Sequence, residues 1–176
     1  MDQRARGFTL IEMMIVLALM AIILGLGIPS FSNLMEKIAV ESEAKMIVEG
    51  LRTARLTAIE EKQNIVVCAS DNGTSCVNAW DSGFIVYRDS DNSGTLNGTE
   101  EVLFSHRFKD SVLVKTGSGQ NQSFFFNNNG WSPGSADSLL ICAEASTNRN
   151  AYAVIINRAG RLRILDSSQD WDNRSC

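Results

Sequence analysis

Residues 1–31 read MDQRARGFTLIEMMIVLALMAIILGLGIPSF. From Phe8 to Ile28 only Thr9, Glu12, Gly25 and Gly27 interrupt the apolar residues. About 21 residues at about 1.5 Å each span roughly 30 Å, the thickness of a bilayer's hydrocarbon layer. Arg4 and Arg6 precede the run, which keeps its start on the cytoplasmic side and places the remainder of the chain outside. An ordinary secretory signal fits poorly. Its apolar core is shorter and ends in a small-x-small cleavage site, whereas this run ends in Gly-Ile-Pro-Ser. A plain membrane anchor fits better but leaves Glu12 unexplained, because a carboxylate in a spanning helix costs free energy even near its edge.

The remaining chain differs in character. The protein has 176 residues, 44% hydrophobic and 20% charged, with a net charge of −4. Asp2, Arg4 and Arg6 make the first seven residues mildly basic, so the remainder is acidic and has no global attraction to nucleic acid. The four cysteines, Cys68, Cys76, Cys142 and Cys176, allow three disulfide connectivities. The short Gly/Ser/Asn loop between Cys68 and Cys76 favours that pair, and a Cys142–Cys176 bridge would tie down the tail. Four buried or free thiols are the alternative. With His106 the sole histidine and no closely spaced Cys-x-x-Cys, a zinc site is disfavoured.

The leader resembles the class III signal of type IV pilins and pseudopilins: Arg6-Gly7 followed by Phe8-Thr9-Leu10-Ile11-Glu12, with Pro29 further on. The resemblance implies that a prepilin peptidase cuts between Gly7 and Phe8 and methylates the new Phe8 amine. It makes Glu12 the assembly glutamate and Pro29 the helix-bending proline of the family. A buried Glu12 wants a cation, and cleavage creates one in the Phe8 amine of the same or a neighbouring subunit. Gly25, Gly27 and Pro29 weaken the helix, so a kink or melted turn is expected there, with Ser30 or Ser32 capping a restart.

Four segments follow: a leader over 1–7, a membrane-spanning and filament-core helix over 8–29, an amphipathic helix over 30–62, and a β-rich head over 63–176. In the third, Ile47, Leu51, Ala54 and Ala58 form an apolar stripe that Leu34 and Ile38 begin. It reads as the face packed on the head, with a coiled-coil partner as the alternative. In the head, strands are expected at 64–69, 83–88, 101–107, 111–116, 123–127, 138–143, 151–157 and 161–165, separated by Asn- and Gly-rich turns. The fold class is α+β and type IV pilin-like: a long N-terminal helix carrying two small antiparallel sheets.

The head resembles the minor-pilin family that contains FimT, FimU and the pseudopilin GspH. The residues that carry this are Trp80-Asp-Ser-Gly83-Phe84-Ile-Val86-Tyr87-Arg-Asp89, Asp91-Asn92-Ser-Gly94, Glu100-Glu101-Val102-Leu103 and Gly160-Arg161-Leu162-Arg163. The last resembles the GRxR motif of FimT proteins, which bind DNA during natural transformation, and Arg158 matches an arginine just upstream of it. On a strand, Arg161 and Arg163 would share one face, with Leu162 and Ile164 turned to the core. Arg149 and Arg174 are near enough in sequence to join them. Guanidinium forks suit phosphate oxygens, so DNA contact through Arg158, Arg161 and Arg163 would be salt-sensitive and indifferent to base sequence. The alternative is a solvated strand face paired with Asp166 and Asp170.

Two further patterns bear on function. Asp89, Asp91, Ser93, Asn97 and Glu100, with the Thr95 carbonyl and Gly94 at the sixth position, fit calcium-loop spacing. Strands rather than helices flank them, which favours a hairpin loop held by Asx turns and no metal. Phe124-Phe125-Phe126 and the three tryptophans read as aromatic core, with base stacking as the alternative and Trp131 and Trp171 as the tryptophans left exposed. No catalytic motif occurs, and neither a cofactor nor catalytic residues are expected. The reading is a minor pilin of a type IV pilus that starts assembly near the tip and binds DNA for uptake in natural transformation. Its partners are major and minor pilins, prepilin peptidase, the inner membrane and DNA. The expected location is the inner membrane as a single pass with a periplasmic head, then the filament at the cell surface. A GspH-like pseudopilin of a type II secretion system is the alternative, and a membrane-tethered periplasmic enzyme a remote third.

Overall fold

The computed structural model describes residues 7–98, 100–117, 123–134, 136–144 and 146–166, with backbone alone at 26–30 and 146–150. A single α-helix, α1, runs from Leu10 to Glu61. Thr9 caps it: the Glu12 N–H donates to the Thr9 hydroxyl at 3.3 Å, and Glu12 stands at the third helical position, as in a capping box. The melted turn and restart expected around Pro29 are absent. Pro29 removes one hydrogen bond of the ladder, yet α1 continues as one element. Lys62, at φ 56°, ends it in the left-handed conformation.

By internal contacts the chain divides into two units, residues 1–35 and 36–176. In the first, the described large apolar side chains from Phe8 to Leu24 are exposed, as are Phe31, Leu34 and Met35. Among the described residues no helix is long and apolar enough to cross a membrane. The side chains at 26–30, which the span expected over 8–29 includes, lie outside the description.

The second unit holds the rest of α1 and eight strands: β1 Asn64–Ala69, β2 Gly83–Asp89, β3 Val102–Arg107, β4 Val112–Thr116, β5 Ser123–Phe126, β6 Asp137–Ala143, β7 Ser146–Ile156 and β8 Leu162–Asp166. They form two four-stranded antiparallel sheets, ordered β3-β2-β1-β5 and β4-β6-β7-β8. The expected α+β class with two small sheets holds. Strand alternation explains the packing. Ile65, Val67, Phe84, Val86, Phe124 and Phe126 of the first sheet meet Val112, Val114, Leu139, Ile141, Val154 and Ile156 of the second, and Val40, Ala44, Ile47, Val48, Leu51, Ala54 and Ala58 of α1 fill the same core. Every residue of this core lies within 36–176, so the head carries its own core and folds as a unit.

Three expectations about the apolar pattern need correction. Leu34 and Ile38 do not join the buried stripe and stay 51% and 47% exposed, because that stripe begins only at Val40. Strand β7 starts at Ser146 rather than at 151, drawn back by its pairing with β6. Ile164 shares the face of its partner Val154 but is 42% exposed, because β8 is an edge strand and overhangs the core.

Polar links join α1 to the first sheet. Arg88 grips Glu61 with two nitrogens, at 2.6 and 2.7 Å, and also reaches Glu101; its hydrogen bond holds the Glu61 carboxyl below the usual range. Glu43, 1% exposed, lies 2.6 Å from His106 Nε2, with Lys109 at 4.0 Å. The Cys68–Cys76 disulfide forms as expected, with the Cα atoms 5.7 Å apart. Cys142 is also disulfide-bonded, and Cys176, expected as its partner, lies outside the described residues.

Candidate functional site

Of the expected arginines, Arg158 and Arg161 lie in one of a pair of matching turns, and Arg163 follows on β8. In the β7–β8 connection, the Gly160 N–H donates to the Asn157 carbonyl at 2.9 Å, the Asn157 N–H to the Arg161 carbonyl at 3.2 Å, and the Arg161 N–H to Asn157 Oδ1 at 2.8 Å. The β5–β6 connection repeats the arrangement: Gly130 N–H to the Asn127 carbonyl at 2.7 Å, Asn127 N–H to the Trp131 carbonyl at 2.9 Å, and Trp131 N–H to Asn127 Oδ1 at 3.0 Å. Both follow the pattern Asn-x-x-Gly-x, and both glycines take positive φ, 74° at Gly130 and 71° at Gly160. Asn supplies a side-chain acceptor that mimics a backbone turn, and Gly accepts the left-handed conformation without a Cβ clash. Trp131 in one turn therefore occupies the place of Arg161 in the other.

The turns are bonded to each other and to the helix. The Ser132 N–H donates to the Arg158 carbonyl at 2.9 Å. Arg55 of α1 donates from Nε to the Gly130 carbonyl at 3.0 Å and from Nη2 to the Ala159 carbonyl at 3.3 Å. A Cβ at Gly160 would fall 2.1 Å from the Gly130 carbonyl oxygen, so only glycine allows this approach. Arg55 was absent from the expected site. Its position on a charged helix face carries no signal, whereas the repeated Asn-x-x-Gly pattern is visible in the chain.

Arg158, Arg161 and Arg163 are all exposed, and among the described residues none has a salt bridge. One geometric expectation changes. β8 begins at Leu162, so Arg161 belongs to the turn and does not share a strand face with Arg163. Arg163 pairs with Ile155 on the face of the second sheet turned away from the main core. The side chain of residue 149 and all of residues 170, 171 and 174 lie outside the described residues.

The acidic loop reads differently. Asp89, Asp91 and Glu100 offer carboxylate oxygens within 4.8 Å of one another. Each carboxylate already holds the loop. Asp89 accepts from the N–H groups of Ser93 and Gly94 at 2.9 and 3.1 Å, and Asp91 from the Ser93 N–H and the Asn97 amide at 3.0 and 2.8 Å. Glu100 accepts from the N–H groups of Ser90 and Asn97 at 2.9 and 3.0 Å. Burial pushes the Asp89 carboxyl above its ordinary range, whereas hydrogen bonds from Ser93 hold Asp91 below it. The loop sets Leu96 against Val66, Cys68, Ile85 and Tyr87 on the outer face of the first sheet. These bonds suit a packing role through Asx-turn chemistry, for which millimolar calcium is expected to leave the head's melting temperature unchanged. A rise of several degrees in a thermal scan would restore the loop as a calcium site.

At the N-terminal end, Gly7 and Phe8 precede the helix and are exposed, Phe8 by 79%, with Glu12 in the first turn. The backbone at residue 29 is helical.

Comparison with known proteins adds the following. Residues 43–160 match the family described as Type II transport protein GspH, and residues 2–28 match the prokaryotic N-terminal methylation motif. Over 72 residues, 41% of this chain, the sequence is 39% identical to the type IV major pilin protein PilA of Myxococcus xanthus. Over 60 residues, 34% of this chain, it is 38% identical to the prepilin peptidase-dependent protein D of Escherichia coli. The matches span only 32% and 40% of those two proteins. The fold is similar to that of the type IV minor pilin FimU of Pseudomonas aeruginosa, with TM-score 0.58 and 22% identity over 73% of this chain and 94% of that one. It is also similar to that of the minor pseudopilin EpsH from the Type 2 Secretion System of Vibrio cholerae, with TM-score 0.54 and 14% identity over 74% of this chain and 99% of that one.

Proposed function

For a chain that belongs to the GspH family and carries the N-terminal methylation motif, we propose the role of a minor pilin of a type IV pilus that starts assembly near the tip and binds DNA for uptake. The family match makes this a structural pilin or pseudopilin. The N-terminal methylation motif supports processing by prepilin peptidase and assembly with other pilins. The periplasmic-enzyme alternative falls to the family match.

In the proposed sequence of events the chain enters the inner membrane through residues 8–29 with its head in the periplasm. The peptidase then cuts between Gly7 and Phe8 and methylates Phe8. Glu12 neutralises a Phe8 amine as the subunit joins the filament, and Pro29 eases the helix away from its neighbours. The pilin relatives named above support the pilus over the secretion machine. The likeness to EpsH keeps a type II secretion pseudopilin as the second reading.

The observation that carries the DNA role is the set of exposed guanidiniums, Arg158 and Arg161 on a turn braced by Arg55 and Arg163 on the strand that follows it, without salt bridges among the described residues. Arg161→Gln with Arg163→Gln is expected to weaken DNA binding by the head, residues 36–176, at least about tenfold. The slope of log affinity against log salt should also fall by roughly two, as two phosphate contacts are lost. A gel shift with a salt titration reads both. An unchanged shift and slope would return these arginines to a solvated surface and leave assembly as the role.

A further inference from the structure

We propose that Trp131 is a base-stacking platform that makes the arginine turn prefer single-stranded over double-stranded nucleic acid. This rests on the DNA-binding reading above and names the form of DNA that the site takes.

Trp131 is 60% exposed. The chain does bury another tryptophan: Trp80 packs between Phe84 and Phe124 with 3% exposure. Nor is Trp131 on a loose loop. Its N–H and carbonyl are both bonded to Asn127, and its neighbour Ser132 is bonded to the Arg158 carbonyl. Arg55 ties both turns to α1. The turn that carries the exposed indole is thus bonded to the turn that carries Arg158 and Arg161, and the indole stands at the position in its own turn that Arg161 fills in the twin.

The charge around it fits an anionic partner. Residues 127–134 and 157–165 contain three arginines and no acidic residue. A turn that carries an indole, bonded to one whose guanidiniums have no salt bridge among the described residues, has two features that single strands use, a stacking face for a base and forks for the flanking phosphates. In a duplex the base faces are already stacked on one another, and the indole would find none to cover. The arginines alone would serve either form.

The test is fluorescence anisotropy of the 36–176 head with a labelled oligo-dT and with a random-sequence duplex of equal length, at fixed salt. Trp131→Ala is expected to weaken oligo-dT binding about tenfold, Trp131→Phe to retain most of it, and duplex binding to stay within about twofold in both. Because the side chain is exposed, the melting temperature should be unaltered, which separates lost stacking from lost fold. Equal weakening of both ligands by Trp131→Ala, or weakening of neither, overturns the stacking role and leaves the arginine site standing. A wild-type head that binds neither form overturns the DNA reading as well, and a loss of filament incorporation by Trp131→Ala would then mark a pilin contact.

Discussion

Glu12→Ala is expected to insert into the membrane normally and then to be lost from the filament. Removing a carboxylate from an apolar run favours insertion. The helix start should survive, because Thr9 caps it through the backbone N–H of residue 12, which the substitution keeps. The cost falls on assembly. In a bundle of such helices the Phe8 amine created by cleavage would be buried, and losing its partner costs about 3–5 kcal/mol. That is on the order of a hundredfold or more in the incorporation equilibrium. Glu12→Gln separates charge from shape, since Gln keeps the side-chain geometry without the charge. It should be excluded almost as strongly. The readout is the ratio of subunit in sheared filaments to subunit in membranes. Normal incorporation of either variant would remove the pairing with the Phe8 amine.

The second large effect concerns the head's interior. His106→Ala is expected to destabilise the 36–176 head by about 3 kcal/mol, because it strips the buried Glu43 of the group 2.6 Å away and leaves, among the described residues, Lys109 at 4.0 Å. It also removes a ring packed on Phe84 and Phe108. Replacing both residues by leucine should recover most of the loss, since a buried polar pair exchanged for apolar groups of similar size is often neutral. Urea titrations of the two single variants and the double variant supply the comparison. If His106→Ala costs less than about 1 kcal/mol, the pair is decorative and α1 is held on the first sheet by apolar packing alone.

Much of the architecture is legible along the chain because it depends on short-range patterns. The apolar run from Phe8, the short, nearly continuous apolar runs in Asn64–Ala69 and Gly83–Asp89, and the Asn- and Gly-rich turns all encode structure within a few residues. The cysteine spacing does the same for the 68–76 loop. The misses all depend on what lies across from a residue. Leu34 and Ile38 continue the helical stripe, but no part of the core reaches them. Ile164 alternates correctly yet sits on an edge strand. Continuity of α1 through Pro29 shows that the ladder tolerates one missing bond.

The candidate site divides in the same way. Arg158, Arg161 and Arg163 were legible from a local motif. Arg55 was not, because its two carbonyl partners are 75 and 104 residues distant. Along the chain Glu43 is one more charge on a helix, and only the fold sets His106 opposite it. The twin Asn-x-x-Gly turns lay in plain view, but their equivalence acquires meaning only once the Ser132 and Arg55 bonds bring them together.

The account stands on Phe8 becoming the first residue of the working protein. Mass spectrometry of the N-terminal peptide, taken from the subunit purified out of cells with active prepilin peptidase, measures this directly. The expected peptide begins at Phe8 and carries one methyl group on its amine. A chain that retains Met1 to Gly7, or one cut after the apolar run, would contradict the account.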